Sequence, residues 1–109
     1  MPKDYKKEVI ELIKEHEKQG FEFGKPLSYL KMRVKTSKEE MVNEIINCKK
    51  LEFVEKQSRD NEIRYVLYFI YNGKGRTYVV RFKEKIRLIS AFPLGRTTIR
   101  RYKKAKFKK

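Results

Sequence analysis

Arg64, Arg76, Arg81, Arg87 and Arg96 run through the second half of this 109-residue chain, with Ser90 and Tyr102 among them. A guanidinium holds a phosphate through parallel N–H donors and stabilises extra negative charge on its oxygens. A tyrosine or lysine surrounded by positive charge has a lowered pKa and can move a proton. Groups of these kinds suffice for attack of a ribose 2′-hydroxyl on the adjacent phosphate, leaving a cyclic phosphate and a 5′-hydroxyl. DNA lacks that hydroxyl, so the chemistry points to RNA. Each residue also has a plainer reading. A single arginine is often only a solvated surface group, and Ser90 is a small hydroxyl that an apolar strand can satisfy internally.

Other chemistries lack their residues. The chain has one histidine, His16, and one cysteine, Cys48. That excludes an intramolecular disulfide and a zinc centre built from Cys and His, and no Ser/His/Asp set can be argued. Glu39–Glu40 is better explained as a helix start than as a magnesium site. Asn72–Gly73–Lys74–Gly75 is too short for a nucleotide-binding phosphate loop. No cofactor or metal is therefore expected. Lys and Arg total 29 against 14 Asp and Glu, a net charge of +15. A field of that sign attracts RNA, DNA or an acidic protein. No apolar run is long enough for a membrane span or a signal-peptide core, so a soluble, cytoplasmic protein is expected.

The elements that would position these groups follow from patterning. The length fits one domain over 1–109. Residues 3–19 form an amphipathic helix with Tyr5, Val9, Leu12, Ile13 and His16 on one side, ended by Gly20. His16 at that apolar margin reads as structural rather than catalytic. Residues 20–36 are a loop, with a helical turn at 27–32. Ser37 opens a capping box with Glu40, and a helix follows over 38–48 with Met41, Val42, Ile45 and Ile46 on its buried side. Cys48 closes that stripe as a small buried residue.

Strands then alternate with turns: 51–55, a polar turn over 56–61, 63–71, an Asn-Gly hairpin at 72–75, 77–82, a turn at 83–85, and 86–92. Tyr65, Leu67 and Phe69 share one face of the long strand, and Arg64, Val66 and Tyr68 the other. Alternation in the last strand places Arg87, Ile89 and Ala91 together, opposite Leu88, Ser90 and Phe92. The chain breaks at Pro93–Leu94–Gly95. Eight basic residues and no acid follow between Arg96 and Lys109. The expected fold is α+β: N-terminal helices packed on a four-stranded antiparallel sheet, a short basic C-terminal helix, and a basic tail over 103–109.

Arg87–Leu88–Ile89–Ser90–Ala91, then Arg96, then Arg100–Arg101–Tyr102, resembles the C-terminal signature of BrnT-type toxins. The strand, hairpin, strand and basic end are similar to RelE toxins, within the barnase/EndoU/colicin/RelE-like group of small ribonucleases. The resemblance covers roughly residues 36–102. It implies a helix on an antiparallel sheet, metal-independent endoribonuclease activity and an antitoxin partner. Carried over by position, Arg64, Arg87 and Arg96 would stabilise the phosphate and Tyr102 would assist proton transfer. Arg76, Arg81, Ser90, Arg100, Arg101, Lys103 and Lys104 would bind RNA. The chain departs from the pattern at Phe92–Pro93, where the toxins carry a further arginine. It departs again at Ile99, where they carry a glutamate, and at Lys31–Met32, where they carry a Lys-His pair. The competing expectation is an RNA- or DNA-binding protein without catalysis, which the charge explains equally well.

Overall fold

The computed structural model describes residues 4–24, 37–71 and 74–94. Helix α1 spans Lys6–His16 and tightens into a 3₁₀ turn at Glu17–Gln19. Gly20 then turns the chain at φ 93°, a conformation that suits a residue without a Cβ. Strand β1 follows at Phe21–Phe23. Helix α2 spans Lys38–Asn47, and four strands complete the order: β2 (Leu51–Arg59), β3 (Glu62–Tyr71), β4 (Lys74–Phe82) and β5 (Ile86–Leu94).

The α+β architecture is present, but the four-stranded antiparallel sheet is not. The sheet has five strands in the order β1-β5-β4-β3-β2. β1 lies parallel to β5, pairing Phe21 with Ile86, Glu22 with Arg87 and Phe23 with Leu88, while the other pairs are antiparallel. The expected loop over 20–36 therefore begins with a strand. Gly20 accepts from the Ile86 amide at 3.0 Å and the Gly24 amide donates to Leu88 at 2.8 Å, so backbone bonds bracket the pairing. The expected C-terminal helix and the turn at 27–32 lie outside the described residues.

Three further boundaries move for local reasons. β2 continues to Arg59, so the turn expected over 56–61 shrinks to Asp60–Asn61. Both residues have positive φ, 52° and 62°, the geometry of a tight two-residue hairpin that Asp and Asn tolerate. β5 runs through Pro93 to Leu94 instead of stopping at Phe92, and Pro93 stands opposite Arg76. β4 starts at Lys74, opposite Tyr71. Its Gly75 is required by space: a Cβ would lie 2.6 Å from the Phe69 carbonyl oxygen.

The core lies between the two helices and one sheet face. Val9 and Ile13 of α1 and Met41 and Ile45 of α2 are buried against Leu67, Phe69, Tyr78, Val80 and Leu88. Phe69 and Tyr78 meet edge to face at 5.5 Å, a favoured aromatic geometry. Ser37 caps α2, its Oγ accepting from the Glu40 amide at 3.1 Å. Cys48 ends the helix in the left-handed region, and its thiol donates to the Ile45 carbonyl. Burial pushes that thiol pKa up, which keeps it protonated and unreactive. His16 stacks against Phe82 at 5.6 Å and bonds the Leu12 carbonyl at 2.8 Å through Nδ1, a structural role.

Candidate nucleic-acid interface

The sheet face away from the helices carries Arg64, Arg81 and Arg87. Register sets the arrangement: Glu22 of β1 stands opposite Arg87 of β5, and Arg87 stands opposite Arg81 of β4. Tyr65 pairs with Val80, so Arg64 is the neighbour of Arg81 one position on, and Arg64 itself pairs with Gln57. Glu62 lies two residues before Arg64 on the same face. A charged row thus crosses four strands, β1, β5, β4 and β3, near one end of the sheet.

The row is compensated. Glu62 accepts from Arg64 Nε at 2.8 Å and also from Arg81 Nη1. These two hydrogen bonds, the Arg81 one foremost, lower its carboxyl pKa to about 2. Glu22 Oε1 lies 3.3 Å from Arg87 Nη1 and 3.8 Å from Arg81 Nη2. Three arginines and two glutamates therefore form one chain of ion pairs. Partly exposed pairs of this kind contribute little to stability, because solvent screens them.

The last strand does not alternate as expected. A β-bulge shifts its register: Val79 pairs with Ser90, yet Val80 pairs with Leu88, leaving Ile89 extra. Leu88 and Ala91 both enter the core, whereas the simple alternation had separated Arg87 from Ser90. The bulge instead puts Ser90 opposite Val79 on the face of Arg81 and Arg87. Arg76 is on the other face. It reaches Glu44 of α2 at 3.5 Å, beside the buried Tyr78 hydroxyl, which donates to the same oxygen at 2.6 Å. Burial, reinforced by that bond, raises the Tyr78 pKa far above the ordinary phenol value. Arg96, Arg100, Arg101, Tyr102, Lys103 and Lys104 lie outside the described residues.

A second polar cluster joins α1 to the sheet. Tyr65 donates its hydroxyl to Glu8, and Lys56 Nζ bonds the same carboxylate at 2.9 Å while lying over the Tyr5 ring at 5.3 Å. Burial, then the Glu8 bond, raises the Tyr65 pKa, so this phenol is not poised as a base. The cluster clamps the helix. Among the described residues no group of three His, Cys, Asp or Glu could hold a metal ion, and no helix is long and apolar enough to cross a membrane.

The charge is unevenly divided along the chain. The described residues hold 16 Lys and Arg against all 14 acids, a net of +2. Residues 25–36 hold four basic groups and residues 95–109 hold eight, with no acid in either. Glu22 and Glu62, the acidic partners within the row, escaped sequence reasoning. Each had a signal: Glu62 shares a face with Arg64 by alternation, and Phe21-Glu22-Phe23 alternates between two glycines. No family model, no curated protein and no solved structure matches this chain.

Proposed function

We propose that this protein binds RNA, with the acid-free segments 25–36 and 95–109 supplying most of the phosphate contacts. The observation that carries the reading is the charge division: the described residues have a net charge of +2, while 25–36 and 95–109 hold twelve cations and no acid. Phosphate contacts dominate nucleic-acid affinity, and lysine and arginine outside ion pairs with acids are what release counterions from the polymer. The resemblance of Arg87–Ala91 and Arg100–Tyr102 to small ribonucleases favours RNA over DNA. The test is the affinity of the full chain for a labelled single-stranded RNA over a range of salt concentrations. Binding that is weak at low salt, or insensitive to salt, would refute the reading.

Cleavage of the bound RNA is the second reading. The bulge at Ile89 favours it by setting Ser90 on the face of Arg81 and Arg87, where a phosphate would lie. Against it, Arg64, Arg81 and Arg87 are all occupied by glutamates, so charge stabilisation would rest on Arg96 and proton transfer on Tyr102. RNA incubated with the protein in excess EDTA should yield cyclic-phosphate ends, and Arg96→Ala combined with Tyr102→Phe should abolish them. Intact RNA at any protein excess would leave binding alone. An antitoxin partner is the companion proposal, and it stands only if cleavage does.

A further inference from the structure

The geometry points to Arg81 and Arg87 as the seat of one RNA phosphate, occupied in the free protein by the carboxylate of Glu22. This assignment rests on the RNA-binding reading above. Arg81 and Arg87 are direct cross-strand partners, and their guanidinium groups converge on a single oxygen, Glu22 Oε1, at 3.8 and 3.3 Å. One anionic oxygen shared between two guanidinium groups is the arrangement a phosphate oxygen would take there.

Three observations make Glu22 the exchangeable member of the row. Its side chain is 41% exposed, against 18% for Glu62. Its contacts are longer than the 2.8 Å bond from Arg64 to Glu62, and exposed ion pairs of this length contribute little. It also sits in the middle of a three-residue strand at the edge of the sheet, beside β5 among the described strands. Arg81 Nε is buried and has no acceptor, so one donor of the pair is used by neither glutamate. A phosphate, with more oxygens than a carboxylate, is better matched to two guanidinium groups. Glu62 remains in place behind the site, keeping Arg81 and Arg64 oriented.

Removing Glu22 should strengthen RNA binding beyond the effect of losing one negative charge. The full chain, Glu22→Gln and Glu11→Gln would be titrated against the same labelled single-stranded RNA by fluorescence anisotropy. Glu11 is an exposed carboxylate on α1, so its variant has the same net charge as Glu22→Gln. Glu22→Gln should bind about 5-fold more tightly than Glu11→Gln at low salt, with a log–log salt slope steeper by about 0.7, the signature of one added phosphate contact. The gain should vanish in Glu22→Gln/Arg87→Gln. Glu22→Ala, checked for folding by circular dichroism, should repeat the sign. Equal affinity of Glu22→Gln and Glu11→Gln, or a gain that survives Arg87→Gln, overturns the site while leaving RNA binding intact. A wild-type chain that does not bind RNA overturns both.

Discussion

The described residues and the acid-free segments of this chain differ sharply in charge composition. Among the described residues, Arg64, Arg76, Arg81 and Arg87 each lie against a glutamate, and Lys56 lies against Glu8. In residues 25–36 and 95–109 no acid is present to do this within the segment. Net charge alone hides the difference. A value of +15 would suggest a uniformly cationic surface, whereas the described residues are close to neutral and the excess is concentrated elsewhere in the sequence. Arginine count is therefore a poor guide to phosphate affinity until each guanidinium's partner is known.

The largest effect that could break this comparison comes from neutralising the basic end. Replacing Arg100, Arg101, Lys103 and Lys104 with Gln should weaken binding to single-stranded RNA by about 10²–10³-fold at 0.1 M salt, as expected for four lost contacts. The next effect concerns the described residues. Tyr78→Phe removes a buried hydroxyl bonded to Glu44 and should lower stability by about 1–2 kcal/mol in urea unfolding. RNA affinity measured on the folded variant should not change, because that bond faces the helices.

A pH prediction probes the row itself. The folded pKa of Glu62 is depressed to about 2, so its ion pairs stabilise the fold fully above the ordinary carboxylate pKa. That contribution is lost as pH falls from about 4.5 toward 2, because the unfolded chain takes up the proton first. Unfolding followed across this window should show a decline that is shallower in Glu62→Gln. The smallest effect is expected for Arg76→Gln. Its charge is already matched by Glu44 on the helix side, so RNA affinity should change by no more than about 2-fold in moderate salt.

The parts of the fold readable in the sequence are those with a strong local pattern. Ser37 three residues before Glu40 specified the start of α2, and alternation grouped Tyr65, Leu67 and Phe69 on one face of β3, but only the assembled sheet shows that face to be the core side. β1 was missed because three residues carry too short an alternation to stand out beside Gly20 and Gly24. Asp60–Asn61 was hidden in a run of polar residues, since the end of β2 is an exposed edge with no apolar period to mark it. The bulge at Ile89 could not be read from spacing, because only pairing with β4 reveals the extra residue. The site suffered most from this. Arg64, Arg81 and Arg87 were found by residue type, but Glu22 reaches Arg81 and Arg87 only through a parallel pairing between distant segments. Whether an arginine is available is a property of the assembled sheet.

The most direct test of the account is the salt dependence of RNA binding for the full chain and for the Arg100, Arg101, Lys103 and Lys104 to Gln variant, measured side by side. The variant's log–log slope should be shallower by about 3, because four phosphate contacts on a single strand are lost. A slope unchanged by the four substitutions would contradict the account, and would place RNA binding on the described residues instead.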